Sequence, residues 1–397
     1  MASTTTVAST TTSTTTTTVA STTTVASTTT STTTVATTTT VASTSTSTST
    51  TTSTTTTTTT TTPPAAFVAA GPYDAGVTTI DLGDRFVEVW YPIDPGSGRE
   101  PTALVEPAEV LPEFLLELLP TSLTAPFDTG AHRDADAATG PFPLAFYSHG
   151  FGGYRLVATN YATHLASHGF VVAAIDHLER GLVAQISGQV VAAPGQELLD
   201  LNRTLELLAE RADDDTDLLG GTVDVTRVAV IGHSAGGGAV NQAASEAWMD
   251  AGVSISAGAT GLEEKGKPYL VLVAELDAVV PASSSRALYA FLTGPRVYLE
   301  IADAGHNSFN DVCPPLYESG EVAELEALVG PEQTTRAADG CTGDYEDPRL
   351  VQELTGHATV AFLKQHLDVG PTPGSLDEAF LIGLGTATPR VVEAASP

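Results

Sequence analysis

One serine of the chain lies in a setting that could make it a nucleophile. Ser234 stands in Gly-His-Ser-Ala-Gly, directly after the apolar run Val228–Ile231 and before further glycine and alanine. Small residues two positions before and two after a serine suit a sharp strand-turn-helix connection, because the backbone passes close to itself there. The spacing therefore predicts Ser234 as a nucleophile on an elbow whose glycines are Gly232 and Gly236.

A serine hydroxyl needs a base to take its proton and an acid to orient that base. The apolar run Tyr269–Ala274 is followed by two acids, Glu275 and Asp277, and Asp277 is the preferred one because Glu275 comes too soon after the run. The run Arg296–Ile301 is followed by Ala-Gly-His-Asn, which contains His306. The order serine, aspartate, histidine is that of α/β-hydrolase triads.

Amide groups for the oxyanion of an acyl-transfer reaction are predicted in two places. One is Ala235, next to Ser234, and the other is Phe151, within the loop Ser-His-Gly-Phe-Gly-Gly. His149 of that loop is expected to support the loop and not to act as the base. It precedes Ser234 in the chain, whereas the base of an α/β-hydrolase triad follows the serine. Packing or surface positions are expected for the remaining candidate histidines, which are His132 in a polar loop, His164 and His168 in one helix, and His357 and His366 in another.

Short apolar runs alternate with segments of helical pattern, which predicts the elements that position these residues. Near-continuous apolar runs indicate strands covered on both faces, as in a parallel sheet. The expected strands are Phe86–Tyr91, Leu144–Ser148, Phe170–Ile175, Val228–Ile231, Gly252–Ile255, Tyr269–Ala274 and Arg296–Ile301. The expected helices are Glu197–Arg211, Ser283–Leu292 and Leu350–Leu367. This alternation predicts a doubly wound α/β domain whose site forms at the carboxyl ends of the strands.

Composition divides the chain into three parts. Residues 1–64 are a Thr/Ser-rich tract that we expect to be disordered. Its composition suits an O-glycosylated spacer; the alternative is that it arose from repeat expansion or from a mis-started reading frame. Residues 65–370 form the expected catalytic domain, and residues 371–397 return to Pro, Gly and Thr, which suggests a flexible tail. Within the domain, the apolar and proline-interrupted segment Leu111–Leu123 is either a packed excursion or a lip over the substrate entrance.

Charge and cysteine content limit the classes of partner and the cellular compartment that we expect for the chain. The chain has 47 Asp and Glu against 16 Lys and Arg, a formal net charge of −31, so we expect no binding to nucleic acid. No apolar run reaches the roughly 18 residues of a membrane span, and no signal peptide is visible after Met1. Cys313 and Cys341 could form one disulfide, which would favour an oxidising compartment, or remain buried thiols. We expect no metal site and no cofactor.

Two long motifs carry a family resemblance. The stretches LAFYSHGFGGYRLVATNYATHLASHGFVVAAIDHLERG and RVAVIGHSAGGGAV closely resemble the platelet-activating-factor acetylhydrolase branch of the α/β-hydrolases. They are also similar to dienelactone hydrolases, chlorophyllases and cutinase-like polyester hydrolases. The opening Gly71–Pro92 resembles the start of the same domain, so the likeness extends over about residues 71–367.

The resemblance implies Ser234, Asp277 and His306 as the triad, with Phe151 and Ala235 as oxyanion donors. Asp277 and the residues after it resemble the acid loop of cutinase-like polyester hydrolases. Those enzymes carry a substrate-stacking tryptophan where this chain has Gly258–Gly261. The expected function is a secreted or cell-surface serine esterase acting on a small-molecule or lipid ester. Alternatives are a polyester hydrolase, an amidase or a catalytically silent binding module.

Overall fold

A ten-stranded sheet is the centre of the part of the chain that this computed structural model describes, residues 64–98, 102–107, 111, 113–370 and 372–396. The strands are β1 (Asp74–Asp81), β2 (Phe86–Ile93), β3 (Leu104–Val105), β4 (Phe127–Asp128), β5 (Ala131–Arg133), β6 (Phe142–Ser148), β7 (Val171–Ile175), β8 (Val223–His233), β9 (Ala251–Ile255), β10 (Tyr269–Ala274), β11 (Arg296–Ile301) and β12 (Pro389–Ala395). The helices are α1 (Glu113–Leu116), α2 (Thr121–Thr124), α3 (Thr159–Ser167), α4 (Leu182–Ile186), α5 (Gln196–Ala212), α6 (Gly237–Ala243), α7 (Ala282–Phe291), α8 (Cys313–Ser319), α9 (Val322–Val329), α10 (Pro331–Ala338), α11 (Pro348–His366) and α12 (Glu378–Ile382).

The order of strands in the sheet is β12-β11-β10-β9-β8-β6-β7-β2-β1-β5. The strands from β11 to β7 run parallel to one another, and β12 and β2 are antiparallel to their neighbours β11 and β7. The carboxyl ends of β6, β8, β10 and β11 therefore meet at one edge, where parallel α/β sheets form their sites. The predicted doubly wound α/β-hydrolase architecture is confirmed.

Each central strand contributes to two cores, one on either face of the sheet. In β10, Leu270 and Leu272 pack in one core, whereas Val271 and Val273 pack in the other. Successive side chains of a strand point to opposite faces, so a strand covered by helices on both sides must be apolar at every position. This explains why the sequence shows continuous apolar runs rather than alternation.

The predicted helices are present with bounds shifted by one or two residues. Helix α5 buries Leu201 and Leu208 in the core, with Leu198 and Leu205 packed against it, which is the leucine face expected from the sequence. Strand β8 is the element most underestimated, since it begins at Val223. Its early residues, Val223–Arg227, mix apolar with polar side chains and pair with β6 through an irregular register, so no continuous apolar run marks them.

The expectation of a flexible tail is wrong for residues 372–396. Strand β12 pairs antiparallel with β11, and Leu381 of α12 is buried. The residues of β12 are mostly half-buried or exposed, because an edge strand presents less surface to the core than a central one. A similar error placed His132 in a loop, whereas it lies in the short edge strand β5, parallel to β1. Both strands are held by backbone pairing that leaves little mark on the sequence.

The excursion between β3 and β4 packs against a segment closed by a disulfide. Cys313 and Cys341 are bonded, and with Leu316, Leu325 and Ala338 they form a small apolar cluster. Leu119 and Leu123 pack on this cluster. Of the two interpretations of Leu111–Leu123, the packed excursion agrees with these contacts; Pro112 lies outside the described residues.

The Thr/Ser-rich tract lies outside the described residues except for Pro64. Among the helices that are described, none has the length and apolar character needed to cross a membrane.

Candidate active site

Ser234 lies at a strained turn between β8 and α6. Its φ is +55°, a left-handed conformation that costs a residue other than glycine about 1–3 kcal/mol. A Cβ at Gly232 would overlap the carbonyl of Gly236, and a Cβ at Gly236 would overlap the carbonyl of Ser148. Both glycines are therefore required by close backbone approach, as a sharp elbow demands.

A hydrogen-bonded chain links three of the predicted side chains. The Oγ atom of Ser234 lies 2.9 Å from Nε2 of His306, and Nδ1 of His306 lies 2.8 Å from Oδ2 of Asp277. Because an ionised carboxylate only accepts hydrogen bonds, Nδ1 carries the proton and Nε2 accepts from the serine hydroxyl. His306 and Asp277 are buried whereas Ser234 is half-buried, so the chain leads from the interior to an accessible hydroxyl.

Asp277 is oriented by its own loop, residues 275–281, which we name the acid loop. Its Oδ1 atom accepts hydrogen bonds from the amides of Val279 at 2.9 Å and Val280 at 2.6 Å, which leaves Oδ2 for the imidazole. The rival acid Glu275 instead contacts Arg390 at 2.6 Å and the amide of Asp303. The structure thus brings Asp277, and not Glu275, to His306.

His233 holds the base loop, residues 302–308, and was missed by sequence reasoning. Its Nε2 donates to the carbonyl of His306 at 2.8 Å, and the two rings lie 4.7 Å apart. Burial and the neighbouring His306 lower the pKa of His233 to about 3, so it stays neutral and can donate only from one nitrogen. Its place immediately before the nucleophile was the available signal.

The loop after β6, residues 149–153, passes directly over the elbow, and we name it the oxyanion loop. A Cβ at Gly150 would lie 3.1 Å from Cβ of Ser234. Among the described residues the amide of Phe151 has no hydrogen-bond acceptor. Ala235 begins the turn that leads into α6, where amides lack intrahelical partners. Both predicted oxyanion amides are therefore close to the serine.

His149 is structural in this arrangement. Its Nε2 accepts the amide of His177 at 3.0 Å, so Nδ1 carries the proton and donates to the carbonyl of Gly150 at 2.8 Å. Burial is the main cause that holds the pKa of His149 well below its usual value. Both nitrogens are occupied, which leaves His149 no free lone pair for a serine.

Comparison with known proteins finds two kinds of relative. Residues 136–320 match the PETase family, described as PET hydrolase-like. The chain is 28% identical over 227 residues to platelet-activating factor acetylhydrolase of Cavia porcellus, covering 44% of this chain and 51% of that protein. It is 30% identical over 149 residues to cutinase est1 of Thermobifida alba, covering 36% and 46%.

The chain has the α/β-hydrolase fold and is similar to enzymes of this group. A platelet-activating factor acetylhydrolase of Gallus gallus is 24% identical to the chain over 370 residues. The match covers 75% of this chain and 83% of that protein. The match to the guinea-pig protein spans about half of that relative, 51% of its length.

A buried polar network lies behind the oxyanion loop of this α/β-hydrolase. Ser148 donates to Nε2 of His177 at 2.9 Å, and Nδ1 of His177 donates to Asp200 at 3.1 Å. Arg180 donates to Oγ of Ser148 at 3.0 Å and to the carbonyl of His149 at 2.6 Å. Ser148, His177 and Asp200 repeat the residue types of a catalytic triad. Ser148 is fully buried, however, so this network supports the oxyanion loop and does not meet a substrate.

Sequence reasoning missed this network because its members are far apart along the chain. Burial and the cations of Arg180 and Arg85 hold the pKa of His177 well below its usual value. The carboxylate of Asp200 is fully buried and paired with Arg85 at 2.7 Å. Within the described part of the hydrolase, no group of three or more His, Cys, Asp or Glu residues could hold a metal ion.

Proposed function

We propose that the chain is a serine carboxylic-ester hydrolase that works through an acyl-enzyme. The observation that carries the proposal is the hydrogen-bonded chain from Ser234 through His306 to Asp277, with the serine held at a left-handed φ of +55°. A structural serine does not need a strained backbone and an oriented base at the same time. Strain of this kind is found where the surrounding structure presents a reacting group.

The mechanism follows from the hydrogen-bond directions. Nε2 of His306 takes the proton of Ser234 while Oγ attacks the ester carbonyl, and the imidazolium is stabilised by Asp277. The oxyanion accepts from the amides of Phe151 and Ala235. His306 then returns its proton to the leaving alcohol, and the carbon–oxygen bond to that alcohol breaks. Water, activated by the same histidine, releases the acid and restores the serine hydroxyl.

The substrate class we infer is an ester with an apolar acyl group, as in lipid or phospholipid esters. Phe151 is 47% exposed directly beside the elbow, and Val279 and Val280 are partly exposed after Asp277. Exposed apolar side chains beside a nucleophile favour apolar over charged acyl chains. The names of the acetylhydrolase relatives are consistent with this class.

A polyester is the second candidate substrate. The matches to the PET hydrolase-like family and to cutinase est1 favour it. The segment Gly258–Gly261 of this chain supplies no aromatic side chain, so stacking on an aromatic polyester would have to come from Phe151. Parallel assays on short p-nitrophenyl esters, a phospholipid ester and a polyester film separate the two candidates, and matched amide substrates test the amidase alternative.

The experiment that tests the chemistry compares Ser234→Ala with Ser256→Ala. Ser256 is a matched control because it also has a left-handed φ, +46°, while its buried hydroxyl forms no hydrogen bond among the described residues. We expect Ser234→Ala to lose roughly 10⁴-fold or more of kcat and all labelling by a fluorophosphonate probe, with Ser256→Ala unaffected. Undiminished turnover in Ser234→Ala would overturn the proposal, and a wild-type protein without turnover or labelling would support a binding module instead.

We further infer that the hydrolase works in an oxidising compartment, secreted or at the cell surface. The disulfide between Cys313 and Cys341 supports this, because cytosolic thiols are kept reduced. The Thr/Ser-rich tract would then be a spacer. Fractionation of the natural source with an antibody to the domain tests the location.

A further inference from the structure

The buried carboxylate of Asp339 lies between the acid loop and the base loop. Its Oδ2 atom accepts the amide of Ala278 at 3.0 Å and the amide of His306 at 2.9 Å. Its Oδ1 atom accepts the hydroxyl of Tyr345 at 2.7 Å, and its backbone carbonyl accepts the amide of Asn307 at 2.7 Å. One residue thus binds the neighbour of the proposed acid and the backbone of the proposed base.

The segment that carries Asp339 is itself firmly held. Asp339 comes two residues before Cys341. The disulfide joins Cys341 to Cys313, which lies 28 residues earlier in the chain, and so closes the segment between them. Gly340 and Gly305 approach so closely that a Cβ on either would overlap the other residue. The base loop therefore rests on the disulfide-closed segment with no space between them.

We propose that Asp339 is a positioning residue for the reaction, a role that rests on the ester-hydrolase function proposed above. The acid and base loops follow two different strands, β10 and β11, and they bond directly where the amide of Leu276 donates to the carbonyl of Ala304 at 2.9 Å. The Oδ2 atom of Asp339, which accepts an amide from each loop, adds a shared anchor beside Asp277 and at the backbone of His306. Charge-assisted hydrogen bonds of this kind are stronger than neutral ones, and buried amides without them are costly.

The charge of Asp339 has a second consequence. A carboxylate bonded to the backbone of His306 favours the positively charged imidazolium that forms when Ser234 attacks. Asp277 faces the imidazole side chain, and Asp339 approaches from the backbone. Tyr345 donates to Asp339, while His233 is neutral and adds no opposing positive charge.

Two substitutions separate the geometric effect from the charge effect. In Asp339→Asn, the amide oxygen can still accept from Ala278 and His306 while the amino group donates to the hydroxyl of Tyr345, so the change mainly removes the charge. In Asp339→Ala, all three side-chain hydrogen bonds are lost. The matched control is Asp303→Asn, which removes an exposed carboxylate from the same base loop at a left-handed φ of +54° that asparagine tolerates.

The measurements are kcat and KM per active site, with sites counted by fluorophosphonate titration, and the pH profile of kcat/KM. For Asp339→Ala we expect kcat to fall on the order of 10²-fold with KM nearly unchanged. For Asp339→Asn we expect a smaller loss of kcat, with the acidic limb of the profile shifted to lower pH because one negative charge near the imidazolium is gone. Asp303→Asn should match the wild type in both.

The outcomes are distinct. If the variants lose active sites or thermal stability while kcat per site and the pH profile stay at wild-type values, Asp339 is only structural and the inference is overturned. If Asp339→Ala does not fold, Asp339→Asn still decides, because a wild-type kcat per site together with an unshifted acidic limb refutes the role. A wild-type protein that neither hydrolyses esters nor reacts with the probe refutes the proposed function itself, and the positioning role falls with it.

Discussion

Replacing Asp277 by asparagine should disable His306 by reversing its proton arrangement. Oδ1 of Asp277 accepts two amides, those of Val279 and Val280, at 2.9 and 2.6 Å. In the variant the side-chain oxygen must stay on these two donors, so the amino group faces Nδ1 of His306. That nitrogen then has to accept, which places the ring proton on Nε2 toward Ser234. A protonated Nε2 cannot take the serine proton.

The expected loss follows from this reversal. A base held in the wrong tautomer costs about 10⁴-fold in kcat in a serine hydrolase triad, which corresponds to about 5 kcal/mol of transition-state stabilisation. Asparagine has the size of aspartate, and the two amide bonds are kept. We therefore expect KM to change little and the folded structure to persist.

The assay is kcat and KM on p-nitrophenyl butyrate, with the thermal transition as a check on folding. Glu275→Gln is the matched control, since Glu275 lies in the same acid loop but faces Arg390 and the amide of Asp303. The amide oxygen of glutamine can still accept from Asp303, so kcat should stay within about twofold. If Asp277→Asn keeps a tenth or more of the wild-type kcat, the assignment of Asp277 as the orienting acid is wrong.

Two further predictions concern stability. Burial raises the pKa of Asp311 to about 7, against an opposing hydrogen bond from the amide of Asn160. Its unfolded pKa is about 3.9, so its stabilising contribution is complete below pH 4 and is lost as pH rises toward 7. The melting temperature of Asp311→Asn should therefore gain on the wild type between pH 5 and 8, and parallel curves would contradict this. Converting Cys313 and Cys341 to serine opens a closure of 28 residues and should lower the free energy of unfolding by about 3–4 kcal/mol, measured by urea denaturation, whereas an unchanged midpoint would show that the disulfide adds no stability.

Local patterns were sufficient for the central sheet and for the proposed nucleophile. Strands β10 and β11 match their predicted bounds, because a strand covered on both faces must be apolar at every position. The elbow around Ser234 was equally readable, since close backbone approach restricts Gly232 and Gly236 to residues without a side chain. These constraints act within a few residues of the chain.

Edge pairing was not readable in the same way. The strand Pro389–Ala395 was expected to be part of a tail because the chain from residue 371 returns to Pro, Gly and Thr. Backbone hydrogen bonds to β11 hold it, and these depend on the partner strand and not on the side chains.

The sequence by itself determined the α/β class, the chain order of Ser234, Asp277 and His306, and the loop proposed to bind the oxyanion. Only the tertiary structure decided between Glu275 and Asp277, because the choice depends on which carboxylate reaches an imidazole 29 residues from Asp277. It also revealed Asp339, which lies 33 residues after His306 and binds its backbone. Contacts of this kind have no period and no local motif, since they arise only when folded loops from separate strands meet.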